Sequence, residues 1–318
     1  MLRMNIVLLE YESLGSDIDL TPLRQIPGFR AYRRTGEEQL AERIADADIL
    51  VANALPMDRQ RLEMASRLKL ICVTSTGYDH IDVACCKERG IALCNVAGYS
   101  TASVVQLTLA MVLALSTELI AYRDQVHSGF YTRNGAPFLL TPVWHELEGK
   151  TWGVVGCGNI GSGVARLAED LGCKVLAYRR KPDPCYETTG LDDLLKQSDI
   201  VTVHLPLNES TRGILSREKI DLLKENAIFV NVARGAVADE AALAKKIAEG
   251  KLGGLGVDVY SAEPFGEDHP YNRIAGRSNV ILTPHSGWGS LESRNRCIAE
   301  VAKNIEAFLR GEKRNRIC

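Results

Sequence analysis

The stretch Lys150-Thr-Trp-Gly-Val-Val-Gly-Cys-Gly-Asn-Ile-Gly161 contains the most informative pattern in this chain. An apolar run over 152–155 predicts a short buried strand, and the pattern Gly156-x-Gly158-x-x-Gly161 follows it directly. After the glycines, apolar residues recur at helical spacing. They are Val164, Leu167, Ala168 and Leu171. A strand, a glycine turn and a helix in this order indicate a dinucleotide-binding site.

Each glycine of this pattern has a separate predicted use. Gly156 allows the tight turn, Gly158 lets the backbone approach a pyrophosphate, and Gly161 lets the helix pack closely on the strand. The diphosphate is expected at the start of the helix, at Asn159 and Ile160, where free N–H groups and the helix dipole favour anions. The alternative is a glycine turn with a purely structural role.

Length and composition are those of a globular protein with two domains. The chain has 318 residues, 46% of them hydrophobic and 25% charged. A net charge of −2 gives no reason to expect nucleic acid or an acidic membrane as a partner. No apolar run approaches the length of a membrane span.

The N-terminus and the cysteines favour a cytoplasmic protein. The segment Met1–Glu10 has too short an apolar core for a signal peptide and predicts a first strand. The nine cysteines form no CxxC pair and lie within apolar segments, so we expect reduced, buried thiols. No metal site is expected.

Strands and helices alternate along two blocks of the chain, which predicts an α/β fold with two doubly wound parallel sheets. In the first block the predicted strands are 4–9, 48–52, 68–73 and 91–95, and the predicted helices are 37–46, 58–66 and 81–88. In the second block the predicted strands are 152–155, 174–178, 200–204, 227–232, 254–259 and 280–282, and the predicted helices after the glycine turn are 191–197, 216–223, 240–249 and 290–310. An apolar helix over 100–119 is expected in a core or a dimer interface, and 127–149 is expected to be irregular.

Polar residues follow three strands of the second block, at the edge where open parallel sheets bind ligands. Arg234 follows Asn231-Val-Ala and would grip a carboxylate with two hydrogen bonds, although a surface ion pair is an alternative. Asp258 and Glu263 follow the next strand, and a helix cap is the alternative for Asp258. His285 follows Thr-Pro after the last strand; a lone histidine is more often structural, but three such strand ends favour a site.

Reduction of a 2-keto acid needs such a set of side chains. The carbonyl oxygen requires a proton as hydride reaches the carbon, and His285 supplies it while Glu263 stabilises the cationic imidazole. Arg234 would hold the neighbouring carboxylate.

Over nearly its whole length the chain resembles the D-isomer-specific 2-hydroxyacid dehydrogenase family. The resemblance rests on the order and spacing of several motifs. They are Thr76-Gly-Tyr-Asp-His-Ile-Asp82, Asn95-Val-Ala-Gly98, the glycine pattern, Asn231-Val-Ala-Arg-Gly235, Asp258 with Glu263-Pro264, and Thr283-Pro-His285.

The resemblance implies roles for individual residues. His285 is the expected general acid and base, Glu263 its partner and Arg234 the carboxylate clamp, with backbone N–H groups at Thr76 and Gly77 on the other side of the carboxylate. Asp258 would contact the nicotinamide carboxamide, and Val232 and Ala233 would line its pocket. Further cofactor contacts are predicted at His204, Pro206 and Gly287.

The resemblance also implies a Rossmann-type cofactor domain (100–288) inserted in a flavodoxin-like substrate domain (1–99 and 289–318). It implies a cleft that closes on the ligands and a homodimer built around the long helix. Gly98-Tyr-Ser-Thr and Pro284-His-Ser-Gly-Trp288 are similar to the glycerate dehydrogenase (hydroxypyruvate reductase) branch. Trp288 would then contact a small substrate, with core packing as the alternative. Gln106, where many relatives have Glu, and Ser286-Gly287 depart from the family pattern.

The residues after the second strand of the cofactor domain favour NADP over NAD. NAD enzymes carry an acid there, on the ribose hydroxyls. Here Arg179, Arg180 and Lys181 follow the strand, and such cations would bind a 2′-phosphate. The alternative is a solvated basic loop.

Two other functions remain open from the sequence. One is a related dehydrogenase of lactate or 3-phosphoglycerate type. The other is a dinucleotide-sensing binding protein of the corepressor kind, which would carry long terminal tails or an exposed partner groove.

Overall fold

The computed structural model describes residues 4–180 and 185–318, which form two compact units. The first unit is built from both ends of the chain, up to Ser100 and from Trp288 onward. The second unit is Thr101–Gly287. Each unit has its own parallel sheet, so the predicted α/β class with two parallel sheets is confirmed.

The first unit contains a five-stranded sheet in the order β2-β1-β3-β4-β5. This order is the flavodoxin-like one, with a switch point between β1 and β3. Its strands are β1 (Ile6–Leu8), β2 (Phe29–Ala31), β3 (Ile49–Ala52), β4 (Leu70–Val73) and β5 (Ala92–Cys94). Its first four helices are α1 (Thr21–Arg24), α2 (Glu37–Ile44), α3 (Arg59–Met64) and α4 (Val83–Glu88).

The second unit contains a seven-stranded sheet in the order β12-β11-β10-β9-β6-β7-β8. Its strands are β6 (Thr151–Val155), β7 (Lys174–Tyr178), β8 (Glu187–Thr188), β9 (Ile200–Val203), β10 (Ile228–Asn231), β11 (Gly254–Val257) and β12 (Val280–Leu282). Its helices are α5 (Thr101–Ser116), α6 (Leu119–His127), α7 (Phe130–Asn134), α8 (Asn159–Asp170), α9 (Leu191–Gln197), α10 (Arg217–Asp221) and α11 (Glu240–Ala248). The strand order reverses between β6 and β9, which is where doubly wound sheets bind ligands.

Alternate residues of each strand pack into cores on opposite faces of the sheet. In β1, Ile6 and Leu8 belong to one core while Val7 belongs to the other. The last helix, α12 (Leu291–Leu309), packs on the face of the first sheet that carries Ile6. The buried strands therefore read as continuous apolar runs, which explains why their predicted bounds differ from the observed ones by no more than two residues.

Several short elements were not predicted, and three of them lack an apolar pattern. β2 lies at a sheet edge and has no buried residue, and β8 is a two-residue edge strand, so neither carries an apolar run. The single-turn helix α1 has only one buried residue, Leu23. Apolar periodicity therefore does not predict any of these three elements.

The predicted helix over 100–119 is wrong at its C-terminal end. α5 stops at Ser116, Glu118 has a φ of 52°, and α6 begins at Leu119. The hydroxyls of Ser116 and Thr117 both donate to the carbonyl oxygen of Leu113 and so compete with the helical hydrogen bonds. The irregular segment predicted over 127–149 also contains a short helix, α7.

Within the described ranges no single helix is long and apolar enough to cross a membrane, although α5 and α6, which meet at 65°, reach that length and composition as a bent pair.

Candidate functional site

The glycine turn joins β6 to α8, and its three glycines meet different surroundings. Gly156 has a φ of 97°, and a Cβ there would lie 2.9 Å from the backbone of His204 and Leu205. A Cβ at Gly161 would lie 2.2 Å from the carbonyl oxygen of Gly156. A Cβ at Gly158 would meet no described atom within 4 Å. Packing thus requires two of the glycines, while the third borders open space that a ligand can enter.

The N-terminus of α8 offers hydrogen-bond donors beside this open space. Gly158 is the N-cap residue, and no side chain among the described residues caps the helix there. The N–H groups of Asn159, Ile160 and Gly161 have no intrahelical carbonyl to bond, since the first helical bond runs from Ser162 N to Gly158 O at 2.8 Å. Such a helix start suits a diphosphate. The residues present therefore fit the predicted dinucleotide.

The ends of β7 and β9 adjoin the same turn. Gly156 N donates to the carbonyl oxygen of Tyr178 at 2.9 Å, so Arg179 and Arg180 follow immediately at this edge. Arg180 is exposed and Arg179 is partly exposed. Lys181, the third predicted cation, lies outside the described residues.

His204, which follows β9, has a side chain that lacks hydrogen-bond partners. Its backbone N donates to Val155 O at 2.8 Å, but neither ring nitrogen has a hydrogen-bond partner among the described residues, and both are buried. Burial lowers the pKa of His204 to about 3, so the ring stays neutral near pH 7. Buried polar atoms without partners are uncommon, and here they lie next to the glycine turn. This observation supports a ligand at that edge. Pro206 follows in the same loop, where its carbonyl oxygen accepts from Thr211 Oγ1 at 2.6 Å.

The turn after β10 carries Arg234. Asn231, almost fully buried, holds the turn with its side chain: its Nδ2 donates to Arg234 O and its Oδ1 accepts from Ala233 N, both at 3.0 Å. Val232 and Ala233 lie within this turn, and Arg234 Nη1 donates to Ala233 O at 2.9 Å. The guanidinium is partly exposed at the carboxyl edge of the sheet. It is therefore placed where it can bind an anionic ligand.

His285 and Glu263, from the loops after β12 and β11, are in contact. His285 Nδ1 lies 2.6 Å from Glu263 Oε2, and the two side chains are 33% and 35% exposed. Burial opposes ionisation of Glu263, but the hydrogen bond and charge of His285, the Tyr260 N–H and the charge of Arg234 outweigh it, so the pKa of Glu263 lies below its ordinary value. Glu263 is thus a carboxylate at neutral pH. Arg234 is close enough for its charge to help keep Glu263 ionised.

Asp258 has a structural role that the sequence did not indicate. It is 2% exposed, and its carboxylate accepts from Thr283 Oγ1 at 2.5 Å and from the N–H groups of Ser286 and Gly287 at 2.8 Å each. These bonds fix the loop in which His285 adopts a φ of 52°, a left-handed conformation that is costly for a residue with a side chain. Asp258 therefore sets the position of His285. Its predicted contact with a nicotinamide carboxamide stays a prediction.

A cavity of about 440 Å³ lies beside the histidine–glutamate pair. Apolar and aromatic side chains make most of its wall, and Glu263 and His285 also line it. The other lining residues are Tyr260, Pro264, Phe265, Leu282, Thr283 and Pro284. Gly287 lies behind this wall, where a Cβ would lie 2.9 Å from Asp258 Oδ2. The pair thus faces a space large enough for a small molecule.

The remaining predicted substrate contacts lie in the first unit. Thr76 follows β4, its Oγ1 donates to Val96 O at 2.9 Å, and its carbonyl oxygen accepts from Asn95 Nδ2 at 2.8 Å. Gly77 O accepts from Ser75 Oγ at 2.6 Å. Trp288 is partly buried and packs against the core that α12 covers. Roles of Thr76, Gly77 and Trp288 toward a substrate stay predictions.

Comparison with known proteins identifies the family of this arrangement. The family model described as D-isomer specific 2-hydroxyacid dehydrogenase, NAD binding domain, matches residues 109–287. A hydroxypyruvate reductase from Blautia hydrogenotrophica is 36% identical over 98% of this chain and 99% of its own length.

Two solved structures share the fold over almost the entire chain. One is an acyclic imino acid reductase (Bsp5) in complex with NADPH and D-Arg, with a TM-score of 0.89, 27% identity, and coverage of 99% of this chain and 100% of that one. The other is a D-lactate dehydrogenase from Aquifex aeolicus complexed with NAD and lactic acid, with a TM-score of 0.85, 29% identity, and coverage of 97% and 96%. The chain therefore belongs to the D-isomer specific 2-hydroxyacid dehydrogenase family, and it is an NAD(P)-dependent oxidoreductase acting on 2-keto acids and their D-2-hydroxy acids.

Proposed function

We propose that the enzyme reduces small 2-keto acids, with hydroxypyruvate and glyoxylate as its preferred substrates. The observation that carries the proposal is the 2.6 Å contact between His285 Nδ1 and Glu263 Oε2, with Arg234 near enough to influence Glu263. The similarity over 98% of the chain to a hydroxypyruvate reductase favours hydroxypyruvate among the keto acids. Glyoxylate has the same carbonyl and carboxylate without the hydroxymethyl group.

In this proposal His285 moves the proton and Arg234 orients the substrate. The cofactor supplies the hydride when it is bound. His285 Nδ1 is held by Glu263, which leaves Nε2 to donate a proton to the substrate's carbonyl oxygen. The imidazole is cationic before the transfer and neutral after it, and the Glu263 carboxylate stabilises the cationic form. Arg234 binds the substrate carboxylate with two charge-assisted hydrogen bonds, which aligns the carbonyl for attack.

Oxidation of NADPH and NADH with a panel of keto acids tests this proposal. The panel is hydroxypyruvate, glyoxylate, pyruvate and phosphohydroxypyruvate. We expect the highest kcat/KM with hydroxypyruvate or glyoxylate. A preference for pyruvate or for the phosphorylated acid would refute the substrate assignment and leave the family unchanged.

We propose that NADP(H) is the preferred cofactor. Arg179 and Arg180 follow β7 where an NAD enzyme carries an acid on the ribose hydroxyls, and a 2′-phosphate would bind such cations. One solved relative is in complex with NADPH and another with NAD, so the two cations after β7 are the observation that supports the phosphorylated cofactor here.

Arg179→Asp is expected to reverse the cofactor preference. A charge-assisted hydrogen bond contributes about 1.5–3 kcal/mol, so the KM for NADPH should rise at least about tenfold. The KM for NADH should fall because the new carboxylate can accept from the ribose hydroxyls. Lys174→Gln, which removes an exposed cation from the opposite end of the same strand, is the control and should leave both values unchanged. Lower KM for NADH than for NADPH in the unmodified enzyme would exclude the proposed preference.

We also propose that the enzyme is a homodimer, formed through the arm over residues 119–144 rather than around the helix predicted over 100–119. This arm contains most of the large, exposed apolar side chains of the described chain. They are Leu119, Val126, Phe130, Tyr131, Phe138, Leu140, Val143 and Trp144, of which Leu140 is 79% exposed. So large an apolar surface on one segment is typical of a protein interface. Sedimentation equilibrium should give twice the chain mass of 34.9 kDa.

A further inference from the structure

A second histidine–glutamate pair lies behind the loop that carries Glu263. His269 Nε2 is 3.2 Å from Glu240 Oε2, and the side chains are only 11% and 12% exposed. Glu240 is the first residue of α11, and His269 precedes the short 3-10 helix Pro270–Arg273. The pair is more deeply buried than His285 and Glu263, and the proposed reaction does not use it.

The hydrogen bonds of His269 fix its neutral tautomer. Its Nδ1 accepts from the backbone N–H of Tyr271 at 3.3 Å, so the proton lies on Nε2 and is donated to Glu240. Aromatic rings hold the imidazole in place: its centroid is 4.6 Å from that of Phe265 and 4.9 Å from that of Tyr271. Burial raises the pKa of Tyr271 well above its ordinary value, and Glu240 adds to this effect. Glu240 thus accepts a hydrogen bond from an imidazole that aromatic rings hold in place.

The other oxygen of Glu240 holds the backbone next to Glu263. Glu240 Oε1 accepts from Ser261 N–H at 2.9 Å, and the preceding amide, Tyr260 N–H, donates to Glu263 Oε1 at 2.8 Å. Two carboxylates therefore hold two consecutive amides. Glu263 has its second oxygen on His285, so its orientation depends on where this piece of backbone lies.

The same piece of backbone packs against the residue after Arg234. A Cβ at Gly235 would lie 2.0 Å from Tyr260 C and 2.2 Å from Ser261 N, so only glycine allows this contact. The peptide between Tyr260 and Ser261 consequently touches the chain that carries Arg234, and its N–H bonds Glu240. The N–H of Tyr260, one peptide earlier, bonds the carboxylate that contacts His285. This piece of backbone therefore contacts both the turn that carries Arg234 and the carboxylate partner of His285.

We propose that Glu240 and His269 are positioning residues that fix the backbone at Tyr260 and Ser261 and thereby hold Glu263 against His285. The inference rests on the proposed roles of His285 and Glu263. Removal of the Glu240 carboxylate lets water replace it at the exposed Ser261 and allows the backbone at Tyr260 and Ser261 to shift. Tyr260 N–H then leaves Glu263, and the cationic imidazole of His285 loses part of its stabilisation.

Glu240→Ala, compared with Asp239→Ala, tests the proposal in the complete enzyme. Asp239 precedes Glu240 and caps α11 through Ala242 N–H at 2.8 Å, so its loss weakens the same helix end without touching the loop. We expect Glu240→Ala to lower kcat for hydroxypyruvate about tenfold or more and to change KM less than about threefold, as for a group acting on the chemical step. We expect the alkaline limb of its pH–rate profile to move to lower pH. Asp239→Ala should lower the Tm and keep the wild-type kcat and pH profile.

His269→Phe provides a second measurement should Glu240→Ala not fold. It keeps the aromatic packing and removes both ring nitrogens, so a smaller loss of kcat with the same shift of the alkaline limb is expected. Wild-type kcat and pH profile in either folded variant, or equal losses in Glu240→Ala and Asp239→Ala, would overturn the proposal. His285→Asn, assayed in parallel, separates the two failures: an active His285→Asn enzyme refutes the proposed function, while an inactive one beside an unaffected Glu240→Ala refutes only the positioning role.

Discussion

Replacement of His285 by asparagine is expected to lower kcat for keto acid reduction by about 10²- to 10⁴-fold, the usual contribution of a general acid. Asparagine is the suitable replacement because it tolerates the left-handed backbone conformation of this position, where φ is 52°. The loss then reports the missing proton donor rather than strain. Asparagine cannot protonate the carbonyl oxygen near pH 7, so the residual rate should depend little on pH above neutrality.

Binding of NADPH, measured by fluorescence titration, should survive in the His285→Asn enzyme, because His285 is not among the proposed contacts of the cofactor. His145→Asn makes the same change at an exposed histidine and is the control; it should keep the wild-type rate. A His285→Asn enzyme with normal kcat would refute the proposed mechanism.

The local sequence pattern was sufficient to predict those parts of the site whose residues lie next to one another in the chain. The run from Trp152 to Gly161 predicts strand, turn and helix from neighbouring residues. At Gly161 the need for glycine is itself local, because a Cβ there would lie 2.2 Å from the carbonyl oxygen of Gly156. His285 and Glu263 are 22 residues apart, and the family motifs indicated them together before their contact was known.

Contacts between loops explain what the sequence did not reveal. Glu240 and His269 lie 29 residues apart in no motif, and each separately is typical of a helix start and of a loop. The hydrogen bonds of Asp258 to Ser286 and Gly287 use backbone N–H groups, which every residue other than proline has. The helix break after Ser116 depends on the left-handed backbone conformation of Glu118. The spacing of apolar residues does not predict this conformation.

Replacement of Arg234 by alanine is expected to lower kcat/KM for hydroxypyruvate by about 10²- to 10³-fold, since truncating one partner of a desolvated, charge-assisted hydrogen bond costs about 2–5 kcal/mol. Arg234→Lys keeps the charge but loses the planar pair of donors, so it should recover only part of this loss. Arg212→Ala removes an exposed arginine from the same unit and should have no effect.

The Arg234→Ala enzyme should also show a changed acid limb. Burial opposes ionisation of Glu263, and the charge of Arg234 is among the contributions that hold its pKa below the ordinary value. Loss of that charge raises the pKa of Glu263, so protonation of this carboxylate, and with it the fall in rate on acidification, occurs at higher pH than in the wild type. Hydroxypyruvate saturation curves at several pH values measure both effects at once. An increase in KM with an unchanged acid limb would mean that Arg234 binds the substrate but does not act on Glu263, whereas unchanged kcat/KM would exclude Arg234 as the carboxylate clamp. The two effects together would show that one guanidinium both binds the substrate and keeps the partner of His285 ionised.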